Sequence, residues 1–150
     1  MVKRLDEQRA LDEHIGLDLW RAAMAWRDRL HRTMVEKGHA WYGDARSTIA
    51  AHLDPRGMTQ SELVRRMGMT KQGVQQLLDG LEADGIVFRE PDPEDGRGRR
   101  VRYTERGLLA VKDAKTVKRA IEREYRAILG EAAFEALRAS LRALAPPADR

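Results

Sequence analysis

The chain has 150 residues, 42% of them hydrophobic and 35% charged, enough for one domain or a tightly joined pair of small ones under a heavily charged surface. Against 24 acidic residues stand 28 basic ones, a net charge of +4 that is too mild to demand a polyanionic partner by itself. With no cysteine, disulfides, thiolate catalysis and thiol redox sensing are excluded, and with no apolar leader and no run approaching roughly 18 apolar residues, a soluble intracellular chain is expected.

From about Leu5 to Gly38 the chain reads as one long helix, with Ile15, Leu19, Ala22, Trp26, Leu30 and Thr33 or Met34 at spacings of three and four. Such a helix is too long to bury its stripe against a compact domain of this size, and a second copy of the chain is the expected partner. A second helix is predicted from Trp41 to Leu53, with Ala45, Ile49 and Leu53 in phase, broken by Asp54-Pro55-Arg56-Gly57. Thr59 then caps a short helix to Met67, with Glu62 placed for a capping box and Gly68 as the left-handed stop. Thr70 caps the next helix, in which Val74, Leu77, Leu78 and Leu81 form one apolar face and Lys71, Gln72, Gln75 and Asp79 lie opposite. Asp84-Gly85 ends it.

Ile86-Val87-Phe88 supplies one strand. Asp92 to Gly98, with Pro91 and Pro93, reads as a turn. Arg100 and Arg102 alternate with Val101 and Tyr103 in a second, half-buried strand. Thr104 caps a long helix from Glu105 to Leu129, carrying Leu108, Val111, Val117, Ile121, Tyr125 and Ile128. After Gly130, Glu131 to Leu144 closes the fold with Phe134, Leu137, Leu141 and Leu144 on one face, and residues 146–150 read as a frayed tail. The predicted order is four helices, a hairpin and two helices.

Two short helices joined by a glycine-containing turn form a helix-turn-helix, whose second helix enters the major groove of DNA through its N-terminal residues. Here those are Thr70, Lys71, Gln72, Gln75 and Gln76. Glutamine pairs bidentately with adenine, lysine donates to guanine or phosphate, and a capped helix start receives a phosphate. The hairpin that follows has an arginine-rich tip: from Arg97 to Arg106 there are five arginines and one acid. Arg97, flanked by Gly96 and Gly98, suits the narrow minor groove, with Asp95 as its ion-pair partner, and Arg99 and Arg100 suit phosphates. Gly73 lies near the start of the recognition helix, either for close approach or as a tolerated cost of roughly 1 kcal/mol.

The run Leu81-Glu82-Ala83-Asp84-Gly85-Ile86-Val87-Phe88-Arg89, then Asp92-Pro93-Glu94-Asp95-Gly96-Arg97, then Val101-Arg102-Tyr103-Thr104-Glu105-Arg106-Gly107 resembles the MarR family of winged-helix transcription regulators in order and spacing. The resemblance covers roughly Met58 to Gly107 by motif and the rest by helix order. It implies a mainly α fold with a small β-hairpin wing (α+β), a winged helix-turn-helix embedded in a helical dimerisation region. Residues 1–38 would be the N-terminal dimerisation helix, 39–104 the DNA-binding region, 105–145 the C-terminal dimerisation helices and 146–150 the tail. It also implies a homodimer on a pseudo-palindromic operator, a wing pair at Asp95 and Arg97, and in many members release by a small aromatic ligand bound between the two regions. Gly96 stands where a second arginine is frequent, and Tyr103 where leucine is usual.

His39, Trp41, Tyr42 and Arg46 are the candidates for such a ligand pocket, since aromatics plus an arginine suit an aromatic carboxylate, although ordinary core and dimer packing is the favoured account of them. Trp20 and Trp26 read as dimer-core residues. The four histidines are scattered without metal-ligand spacing, the acids before Gly96 fail as a calcium loop because Pro91 and Pro93 fall on it, and no carboxylate pair is marked for acid–base work. No cofactor, no metal, no membrane and no enzymatic activity are expected. The expectation is a homodimeric regulator of double-stranded DNA, a repressor, in a prokaryotic cytoplasm at the nucleoid. Two alternatives stay open: a helical dimer scaffold whose winged helix binds protein, and a metal-responsive regulator. Steep salt dependence governed by Lys71, Gln72, Gln75 and the wing arginines would distinguish DNA from protein.

Overall fold

The computed structural model describes residues 14–145. The first helix, α1, spans Ile15–Glu36, with the His14 side chain accepting the Leu17 N–H. The predicted start near Leu5 and the tail at 146–150 lie outside the described residues. Only the second half of α1 is buried in this chain, through Leu30 and Met34.

The predicted helix from Trp41 to Leu53 is instead two pieces: a 3-10 turn, Ala40–Gly43, and a short helix α2, Ser47–His52. Asp44 breaks the run. Its backbone is extended, its carboxylate accepts the Arg46 N–H, and its carbonyl accepts the Ser47 hydroxyl. Side chains that satisfy the local backbone in this way compete with a continuous helix.

A strand β1, Met58–Thr59, precedes α3, Gln60–Met67, which Gly68 ends in the left-handed conformation. Thr59 accepts the Glu62 N–H as predicted. The return half of the capping box is missing, because the Glu62 carboxylate turns to Arg65 and Arg66. Helix α4, Lys71–Ala83, follows a two-residue turn and is capped by Thr70 on the Gly73 N–H. It ends in a glycine stop: Gly85 takes a positive φ and the Ile86 N–H reaches back to Leu81 O.

The hairpin comprises β2, Val87–Pro91, and β3, Arg99–Tyr103. β3 is central, in the order β1-β3-β2, with Met58 opposite Val101 and Arg89 opposite Val101 on its other side. The sheet has a third strand that the sequence reading lacked. Val101 and Tyr103 point into the core while Arg102 is exposed, as the alternation required. Helices α5, Glu105–Leu129, and α6, Glu131–Leu144, meet at Gly130 and match the predicted bounds.

The core is one cluster. Leu63, Val74, Leu78 and Leu81 of the two-helix corner join Val87 and Val101 of the sheet, Ile49 of α2, Met34 of α1 and Ile121 of α5. α1 runs along α5, and α6 folds back on α5. Among the described residues no helix is long and apolar enough to cross a membrane, and no group of three or more His, Asp or Glu could hold a metal ion.

Candidate nucleic-acid interface

The helix-turn-helix corner leaves the start of α4 in solvent. Thr70, Lys71, Gln72, Gln75 and Gln76 are all exposed, because Val74, Leu78 and Leu81 draw the opposite face into the core. The wing stands beside this face. Lys71 and Gln75 from α4, Arg97, Gly98 and Arg99 from the wing, and Gln60 and Ser61 from α3 line one cleft of about 590 Å³. The exposed donors of helix and wing therefore converge on a shared surface, as simultaneous major- and minor-groove contact requires.

The wing loop is held by its own backbone. Asp92 N–H donates to Gly98 O at 3.0 Å and Gly98 N–H to Asp95 O at 2.8 Å. Asp95 Oδ1 accepts the backbone N–H of Arg97 at 3.1 Å. Asp95 thus shapes the turn through the main chain, and the Arg97 guanidinium is not its partner. Arg97 and Arg99 are exposed, but Arg100 is half-buried, with Nη1 3.8 Å from the buried Asp92 and Nε without a hydrogen-bond partner. A phosphate contact by Arg100 would first have to break that pairing. On the outer face Arg102 pairs with Glu90 at 2.6 Å.

Two arginines brace α4. Arg89 on β2 binds Glu82 and Asp79, and these bonds hold the Glu82 carboxyl below its ordinary range and push the Arg89 guanidinium up. Arg46 binds Asp44 and Asp84 at the far end of the helix, and Arg106 adds a bond to Asp84 O. The sequence reading quoted Arg89 only as a motif letter and counted Arg106 among the basic residues of the wing segment. Ser61 and Gln60 were missed, since a polar residue at a helix start carries no signal of which cleft it faces.

Residues 44–98 match the model of the MarR family. Over that stretch the chain is similar to the MarR family. Among curated proteins it is 35% identical over 98 residues to Repressor protein C of Rhizobium phage 16-3, a match that covers 63% of this chain and 36% of that one. The chain thus spans little more than a third of the length of that relative. A crystal structure of the transcriptional regulator PA3341 superimposes with a TM-score of 0.69 at 25% identity, covering 87% of this chain and 95% of that chain. A MarR mutant from E. coli complexed with operator DNA gives 0.69 at 20% identity, covering 88% and 94%. The repressor CouR bound to a 23-mer DNA duplex gives 0.68 at 24%, covering 91% and 95%. These last two establish the shared fold.

The matched stretch begins at residue 44, so His39, Trp41 and Tyr42 lie outside it and Arg46 within it. His39 is buried, its Nε2 2.8 Å from Asp113 on α5. Trp41 is buried against Tyr42, ring centroids 4.3 Å apart, and its Nε1 has no hydrogen-bond partner. Arg46 is committed to its two aspartates. Tyr42 borders a cleft of about 570 Å³ between α1 and α2, which Trp26, Leu30, His31 and Lys118 also line. Trp26, Ala50 and Lys118 continue into a second cleft with Tyr103, Lys115 and Arg119.

Proposed function

We propose that this chain is a sequence-specific regulator of transcription, a repressor that binds double-stranded DNA as a homodimer on a pseudo-palindromic operator. The observation that carries the reading is the cleft in which the exposed N-terminal face of α4 meets the cationic wing. Two MarR-fold proteins were solved on DNA, and the phage relative is a repressor. In this reading Gln72, Gln75 and Gln76 read base edges, Lys71 and Thr70 hold base or phosphate, Arg97 enters the minor groove and Arg99 meets a phosphate. Asp95 serves by fixing the loop.

Homodimerisation is supported by apolar side chains left in solvent on the helices outside the two-helix corner and wing. Ile15 is 72% exposed, Trp20 61%, Ile128 77% and Leu144 68%, and only Phe134 of α6 is buried. Trp26, by contrast, packs against this chain's own core. Apolar side chains exposed in this way, on helices that flank the DNA-binding region, suit a second copy of the chain. The two clefts that meet at Trp26 and Lys118 offer an aromatic face and several cations to a small aromatic acid, and a ligand wedged there would bias the spacing of the two recognition helices. This region would hold the effector in place of His39, Trp41 and Arg46. Nothing in the proposed role calls for enzymatic chemistry or a cofactor.

The test is a salt titration of fluorescence anisotropy on a duplex from the gene's own upstream region, comparing wild type with Arg97→Ala. The expected result is steep salt dependence and a loss of at least about tenfold, about 1.4 kcal/mol, in the variant. If neither protein binds at low salt, the DNA reading is wrong and a protein partner becomes the better account.

A further inference from the structure

Arg89 is tied to α4 by four hydrogen bonds. Its backbone N–H donates to Glu82 Oε1 at 3.0 Å, its Nε to Glu82 Oε2 at 3.1 Å, and its Nη2 to both Glu82 Oε2 and Asp79 Oδ1 at 2.5 Å. The two carboxylates lie three residues apart on α4, so one planar guanidinium spans both. The Arg89 side chain is only 16% exposed, while Asp79 and Glu82 are 55% and 38% exposed, so the guanidinium is shielded and the carboxylates stay partly solvated. Among the described residues no other ion pair joins α4 to the hairpin.

The position of this tie matters. Residues Glu90 to Arg99 form no hydrogen bond to α4 among the described residues. Arg89 is therefore the outermost point at which the hairpin is tied to α4, and β2 alone carries the chain roughly 7 Å beyond it at about 3.3 Å per residue. A small rotation at Arg89 becomes a larger displacement at Arg97. With its charge neutralised by two carboxylates, Arg89 is poorly suited to hold a phosphate itself.

We propose that Arg89 is a positioning residue that sets the separation between the N-terminal face of α4 and the wing tip, so that Arg97 acts at full strength only while Arg89 holds Asp79 and Glu82. The inference rests on the DNA-binding reading for its consequence but not for its geometry, and the two can fail separately. Because the chain has no cysteine, Gln72→Cys and Glu94→Cys place one spin label on α4 and one on the wing, and pulsed electron resonance reads their separation without DNA. The distribution should be narrow with Arg89, distinctly broader in Arg89→Met and intermediate in Arg89→Lys, whose point charge satisfies one carboxylate. An unchanged distribution in Arg89→Met overturns the proposal whether or not the protein binds DNA.

On the operator duplex, Arg97→Ala should cost about tenfold in the wild-type background and less than about threefold in Arg89→Met. The cost of Lys71→Ala should be the same in both. A purely structural role would leave the Arg97→Ala loss undiminished, which also overturns the proposal. Asp79→Asn with Glu82→Gln removes both anchors without touching Arg89 and must reproduce both effects, which keeps the test open if Arg89→Met unfolds.

Discussion

Gly107, the glycine of the Thr104-Glu105-Arg106-Gly107 motif, is a place where a single atom decides the packing. Thr104 caps α5 on the Gly107 N–H at 3.1 Å, and its hydroxyl donates to Gly85 O at 2.6 Å while its own N–H reaches Ile86 O at 3.0 Å. This knot ties the start of α5 to the turn that ends α4. A Cβ on Gly107 would sit 2.1 Å from Ile86 O, a backbone atom that cannot swing away. Gly107→Ala should therefore cost roughly 1–3 kcal/mol or more, as overpacking does, a loss of roughly 2–4 °C in thermal midpoint per kcal/mol. Gly96→Ala, where a Cβ meets nothing within 4 Å, should leave the midpoint within about 2 °C. Circular dichroism melts of both variants decide it, and equal midpoints would show that the α5 start slides freely.

At the scale of elements, α6 is folded by very little of its own chain. It contributes Phe134 to the interior, where Arg126 lies 4.0 Å over the ring, while Leu137, Leu141 and Leu144 remain exposed. In the homodimer reading that stripe belongs to the partner. Leu137→Glu with Leu141→Glu should convert the dimer to a folded monomer by light scattering, with helical signal retained because neither side chain is in this chain's core; a variant that stays dimeric would place the interface elsewhere. The bounds of α4, α5 and α6 were legible because Thr70 and Thr104 cap α4 and α5, and Gly85 and Gly130 break the chain with positive φ. The stretch from Trp41 to Leu53 was not, since Ala45, Ile49 and Leu53 keep helical phase across a break that depends on Asp44 bonding its neighbours. β1 has two residues and so no period to read. In the site, exposure of the α4 face follows from its apolar stripe and was legible. The destination of a cation was not: Arg46 meets Asp84, and Arg89 meets Asp79 and Glu82, through folding that brings distant residues together.

At the scale of the whole molecule, most acids among the described residues pair with a cation while Arg97 and Arg99 are left to solvent. Asp44 is held below the usual carboxylate range by Arg46, Glu62 by Arg66 and Arg65, Glu82 by Arg89, and Asp113 by His39. A carboxylate depressed in the folded chain contributes stability that is complete above its unfolded value, about 4, and is lost as pH falls through the folded value. These groups therefore leave the urea midpoint unchanged from pH 8 to about pH 5 and lower it below about pH 4. The alkaline side has the opposite origin. Burial pushes the Tyr42 phenol up to about 12 and the Tyr103 phenol further still. A raised phenol contributes stability present below about pH 10, lost as pH rises through the folded value. Tyr103 is the more informative of the two, because its hydroxyl is buried without a hydrogen-bond partner, and it occupies the position where leucine is usual in the family it resembles. Tyr103→Phe keeps the ring and removes an unpaired polar group, so at pH 7 it should be neutral or stabilising by about 1 kcal/mol. At pH 11 the variant should retain more of its pH 7 midpoint than wild type, since one phenol no longer favours the unfolded chain. Urea midpoints of both proteins at the two pH values test this, and a destabilised Tyr103→Phe at pH 7 would mean that the hydroxyl has a partner, such as a bound water, that holds it in place.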